Sequence, residues 1–145
     1  MGLDEPDKKM SKSSTAVGHA IGLLDPPDQI RKKLMRATTD SNPAVDFATM
    51  GPGVANLLSI FQAFSGWTND QMTAHFAGMR YGDLKKQVAE MIVSHLEPMQ
   101  QRYRAIVSEA GYLDRILLEG AERVSPIANS TVELVKSRMG LYTRT

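Results

Sequence analysis

Between Tyr81 and Ser108 the apolar residues Leu84, Val88, Met91, Leu96, Met99, Tyr103 and Ile106 hold a helical period across almost the whole stretch. Such a repeat lays one apolar stripe along a long helix and leaves the other faces polar. Pro98 lies inside it, where a missing amide hydrogen and a ring clash predict a kink or split near Glu97. A second run repeats the theme with Leu113, Ile116, Leu117, Ala121, Val124, Ile127, Val135 and Met139. There the pair Ser125-Pro126 predicts a break, with the serine capping a fresh helix, and Gly140 is a natural stop. Strict alternation of apolar and polar residues persists nowhere between turn signals. The expected fold is therefore all-α, a bundle of about five or six helices.

Shorter helices precede these two runs. Asp25-Pro26-Pro27-Asp28 reads as a start, with Asp25 as N-cap, prolines in the first turn and Asp28 complementing the helix dipole. Ile30, Leu34 and Ala37 form its narrow apolar stripe, while Arg31, Lys32, Lys33 and Arg36 cover its other faces. These cations form either a solvated outer face or a phosphate-contacting patch. Gly51-Pro52-Gly53 opens another helix, with core positions at Val54, Leu57, Leu58, Phe61 and Phe64 and a stop at Ser65-Gly66. Thr68 and Gln71 form a capping-box pattern for a short third helix, with Trp67 and Met72 at the two staple positions. The lone tryptophan is read as structural, against the alternative of a stacking platform for a base.

With 145 residues and 42% hydrophobic positions, the chain suits one ordinary globular core with a lead-in segment. A formal net charge of +1 gives no global attraction to nucleic acid, so any such contact must come from local patches. The absence of cysteine excludes disulfides, a thiolate nucleophile and thiolate metal sites. His19, His75 and His95 are too widely spaced for a helical metal pair, and no metal-ligating residues are assigned; each histidine reads as a surface or packing residue. The N-terminus lacks the apolar stretch of a signal peptide, and no apolar run is long enough for a membrane span. Cytoplasmic residence is the default expectation.

The chain enters its most suggestive motif within ten residues, which is expected of a piece of a longer protein. Lys8-Lys9-Met10-Ser11-Lys12-Ser13 alternates lysines with hydroxyls behind Asp4-Glu5-Pro6-Asp7. Taken alone, such a run is a solvated surface loop, or it is a loop whose ammoniums close over a triphosphate and follow charge onto a leaving pyrophosphate.

Met1-Gly2-Leu3-Asp4-Glu5-Pro6 leading into Lys9-Met10-Ser11-Lys12-Ser13 resembles the second signature loop of class I aminoacyl-tRNA synthetases, and within them the tryptophanyl family. Asp25-Pro26, Ile30-Arg31-Lys32-Lys33 and Arg36-Ala37-Thr38-Thr39-Asp40-Ser41 resemble the stretch just beyond that loop. Pro52 to Leu58, Tyr81-Gly82-Asp83-Leu84-Lys85 and Leu118-Glu119-Gly120-Ala121-Glu122 extend the resemblance almost to Gly140-Leu141. Two positions depart from it: Thr38 stands where the family more often has valine, and Gly18-His19 replaces a more usual polar run containing asparagine. The Rossmann-type domain that carries the family's other signature motif and its tryptophan pocket is not matched by any segment.

The resemblance implies the C-terminal part of a ligase that activates tryptophan with ATP and Mg²⁺ and transfers it to tRNA(Trp). It implies residues 1–24 as signature loop and linker, and residues 25–145 as a helical anticodon-binding domain. Lys9 and Lys12 would be catalytic, with Lys12 as the main ATP-contacting lysine. Lys9, Met10, Ser11, Lys12 and Ser13 would form the nucleotide-binding loop, Ser11 bonding a phosphate oxygen and Met10 anchoring by packing. The intact enzyme would be a homodimer, and this part alone would be inactive. Arg102, Arg104, Arg115, Arg123, Lys136 and Arg138 are available for RNA, none marked as a base reader. The alternatives are a free-standing helical RNA-binding module and a protein-interaction bundle, both without catalysis.

Overall fold

The computed structural model describes residues 1–11, 16, 18–109 and 111–141, and shows five helices with no strand among them. They are α1 (Pro27–Arg36), α2 (Pro52–Ser65), α3 (Asn69–Phe76), α4 (Tyr81–Ser108) and α5 (Tyr112–Arg138). Residues Met1–Gln100 form one compact unit and Gln101–Thr145 a second. No helix among the described residues is long and apolar enough to cross a membrane.

Local chemistry sets most helix ends. α1 begins with Pro27 behind Pro26, and Asp28 lies in its first turn. Asp25 is not the cap: Pro26 occupies that position, and the Asp25 carboxylate is instead engaged by Gly22 N at 2.8 Å and Lys33 Nζ at 2.6 Å. α2 opens on Gly51-Pro52 and closes on Gly66, whose φ of 67° lies in the left-handed region that glycine enters without a Cβ penalty. At α3 the capping box is complete, with Thr68 Oγ1 accepting from Gln71 N and Gln71 Oε1 accepting from Thr68 N.

The core of the first unit joins α1, α2, α3 and the first half of α4. Ile30, Leu34, Leu57, Phe76, Leu84 and Val88 are all essentially inaccessible. Phe61 meets Phe76 and Trp67 edge-on, at centroid distances of 4.9 and 5.3 Å, so the tryptophan packs against this core. Phe64, expected in the same stripe, is instead exposed and lies beside His95. Polar ties fix the connection after α1. Asp40 accepts from Gly51 N at 2.7 Å and from the Tyr81 hydroxyl at 2.6 Å, and Lys85 Nζ donates to Ala37 O at 2.7 Å. A Cβ on Gly53 would fall 2.1 Å from Thr38 O, so only glycine permits this approach.

Neither proline ends its helix: α4 continues through Pro98 and α5 through Pro126, and both residues are exposed. Ser125 caps no new helix; its hydroxyl donates back to Ala121 O at 2.7 Å. In the second unit the expected core positions are not buried. Leu113, Ile116, Leu117, Val124, Ile127, Val135 and Met139 of the last run, with Tyr103 of α4, are all exposed.

Candidate phosphate-binding loop and its anchors

The lysine run springs from a turn built by residues 2–9. Asp4-Glu5-Pro6-Asp7 reverses the chain, closing Gly2 N to Lys8 O at 2.8 Å and Lys8 N to Glu5 O at 2.9 Å. This turn is pinned from two directions. Leu3, buried, donates through its amide to His19 O and accepts at its carbonyl from Thr38 N. Thr38 Oγ1 also donates to Asp4 O at 2.8 Å.

Of the residues expected to touch nucleotide, Lys9 has an exposed side chain that makes no ion pair among the described residues. Met10 is half-buried and packs on the core, and Ser11 is exposed. Lys12 and Ser13 lie outside the described residues. Met10, Ser11, His19, Asp25, Gln29 and Lys33 line a cleft of about 530 Å³ beside the turn. The Lys33 ammonium in this lining is already taken up by Asp25 Oδ2 at 2.6 Å and Ala20 O at 2.8 Å.

The basic face of α1 divides. Arg31 forks onto Glu90 at 2.7 and 2.9 Å and also reaches Asp28; the two carboxylates push the guanidinium pKa up, and the guanidinium in turn holds the Glu90 carboxyl down. Lys33 is drawn inward, donating to Asp25 Oδ2 and to Ala20 O at 2.8 Å. Two of the four cations of this helix are thus held in ion pairs, while Lys32 and Arg36 stay exposed. Lys8 is likewise paired, with Glu5 at 2.8 Å, which raises its pKa. Among the arginines of the second unit, the guanidinium of Arg115 lies 5.6 Å from the Tyr112 ring centre, and Lys136 pairs with Glu133.

Sequence reasoning missed His19. Read as a surface or packing residue, it is 4% exposed, with Nδ1 2.6 Å from Asp4 Oδ1. Partial desolvation raises the Asp4 pKa, but the hydrogen bond and charge of His19, with backbone amides, outweigh it and hold the carboxyl below its ordinary value. The available signal was a carboxylate and an imidazole placed on opposite sides of the lysine run.

Residues 1–97 match the family described as tRNA synthetases class I (W and Y), two thirds of the chain, and the chain belongs to that family. Among its relatives is the tryptophan–tRNA ligase of Wolinella succinogenes, 47% identical over 141 residues, covering 97% of this chain and 43% of the relative. The tryptophan–tRNA ligase of Listeria monocytogenes is 43% identical over 142 residues with the same coverage of both chains. The crystal structure of tryptophanyl-tRNA synthetase from Mycoplasma pneumoniae superposes with a TM-score of 0.71 at 32% identity, covering 98% of this chain and 43% of that one. The chain thus spans about 43% of the length of the relatives it matches.

Proposed function

We propose that these 145 residues are the C-terminal part of a tryptophan–tRNA ligase of the cytoplasm. Residues 1–24 carry the ATP-phosphate loop and linker, and residues 25–145 the helical domain that holds the anticodon arm of tRNA(Trp). The observation that carries this reading is 47% identity sustained over 141 residues to a ligase of that name, through both the lysine run and the helices.

In the first step the tryptophan carboxylate attacks the α-phosphorus of ATP, the bond to the bridging oxygen breaks, and pyrophosphate leaves as tryptophanyl-adenylate forms. Negative charge grows on the departing oxygens, and Lys12, assisted by Lys9, meets it with ammonium groups while Ser11 and Ser13 donate to phosphate oxygen. In the second step a hydroxyl of the tRNA's terminal ribose takes the acyl group and AMP leaves. Mg²⁺, where the whole enzyme binds it, would share with these lysines in neutralising that charge; among the described residues no group of three or more His, Cys, Asp or Glu side chains could hold a metal ion.

The test is tryptophan-dependent ATP–pyrophosphate exchange in a protein of the relatives' full length. Lys12→Ala is expected to slow it about a hundredfold while tryptophan binding holds, as for a contact made in the transition state. A wild-type protein without exchange would sink the reading. For the helical domain, a titration of the 145-residue chain against tRNA(Trp) and an anticodon-swapped version at two salt concentrations separates readout from phosphate attraction.

A further inference from the structure

We propose that His19 is a positioning residue for Lys9, holding the backbone from which that ammonium projects; this rests on the reading of Lys9 as an ATP contact. His19 is buried, yet its ring packs onto a turn and not into the apolar core. Because the Asp4 carboxylate only accepts, Nδ1 carries the proton and donates across 2.6 Å. The opposite nitrogen, Nε2, stands 3.4 Å from the Lys9 carbonyl oxygen, which only accepts, so this is a packing contact in the singly protonated ring and a hydrogen bond when Nε2 also carries a proton; either way one ring spans from the start of the turn to its end.

The His19 backbone closes the same circuit, with its carbonyl accepting from Leu3 N at 3.0 Å. Gly2 makes room for the ring: a Cβ there would lie 2.5 Å from His19 Cε1 and 2.8 Å from Nδ1. Thr38 approaches from beyond α1 and donates to the carbonyl of that same Asp4. Thr38 and His19 therefore converge on a single residue, Asp4. Lys9 itself has no ion pair among the described residues to fix it, so its placement falls to the backbone contacts of its turn. A displacement on the ångström scale at such a base is enough to cost rate without abolishing substrate binding.

The experiment has two arms. In the protein of full relative length, His19→Ala is expected to lower kcat for tryptophan-dependent exchange about tenfold with the tryptophan KM unchanged. Gly2→Ala, which keeps the ring but must displace it, is expected to do the same. The combination of His19→Ala with Lys9→Ala should be no slower than Lys9→Ala alone, because the histidine acts through that lysine. Full multiplication of the two effects, or wild-type kcat in both His19→Ala and Gly2→Ala, would overturn the proposal. The second arm needs no catalysis. In the 145-residue chain His19→Ala should move the Lys9 carbonyl ¹³C resonance while those of Leu57 and Val88 stay in place. A Lys9 carbonyl that does not move would overturn the positioning role whatever the activity, whereas a wild-type protein without exchange would count against the ligase reading alone.

Discussion

α2 and α5 have comparable sequence patterns and opposite fates. In α2, Val54, Leu57, Leu58 and Phe61 are all buried against neighbours, whereas α5 is nearly twice as long and buries none of its residues. Periodicity reports that a helix has an apolar stripe and says nothing of whether a second surface meets it. The difference lies in what surrounds the stripe. α2 is bracketed by glycines and prolines that turn the chain back on itself, while α5 runs on for 27 residues between Gly111 and Met139.

Several substitutions would break or sharpen this contrast. The largest effect is expected at Phe76, fully buried beneath Phe61, where Phe76→Ala should cost about 3–5 kcal/mol in denaturant unfolding. Leu117→Ala in α5, where the residue is 70% exposed, should fall within about 0.5 kcal/mol of wild type, and a loss near the Phe76 value would show that α5 is packed in solution. Next comes Gly53→Ala. Its new Cβ would meet backbone at Thr38, which cannot swing aside as a side chain can, so a loss of about 1–3 kcal/mol is expected by the same measurement. Thr68→Ala, removing one half of the α3 capping box, should cost about 1 kcal/mol.

A further effect is one of pH. Desolvation first, then the Asp40 hydrogen bond, push the Tyr81 hydroxyl up to about 12. Its folded pKa lies above its unfolded one, so its contribution is complete below about pH 10 and is lost as pH rises toward 12. Tyr81→Phe should therefore flatten the alkaline limb of a stability profile between those values. An unchanged limb would mean that the hydroxyl does not donate to Asp40 in solution. The acid side has the opposite sign. The Tyr81 hydrogen bond, then those from Asn42 and Gly51, hold Asp40 below its ordinary carboxyl range. That contribution is complete above the unfolded value and is lost as pH falls through the folded one.

The helix class, the stripes of α1 and α2 and the α3 cap were legible because each depends on residues three or four apart. Pro126 was misread as a break, and Pro98 does not split α4, because what a proline inside a helix costs depends on its surroundings, and both lie at exposed positions, a tertiary property. Asp25 was misread for a similar reason: a carboxylate beside a helix start has a local use as a cap and a distant one as partner to Lys33, and the charge of Lys33 won. The anchor at His19 joins residues 15 apart through a side chain, a pairing with no periodic trace. The residues proposed to face nucleotide stand out in the sequence only as a motif, since nothing in the spacing of Lys9 and Ser11 distinguishes a phosphate grip from a wet loop.

Because Lys33 is held between Asp25 and Ala20 and Lys85 is partly desolvated beneath Ala37, which lowers its pKa, the chain carries two populations of primary amine. Lys9 and Lys32 stand in water. A small acylating reagent applied briefly to the folded chain would consume the second pair first and leave the first pair to be labelled only when the fold opens. Mass spectrometry of partly acylated chain would then serve as a clock, with Lys9 reading access to the loop and Lys85 reading rupture of the tie between α4 and the end of α1.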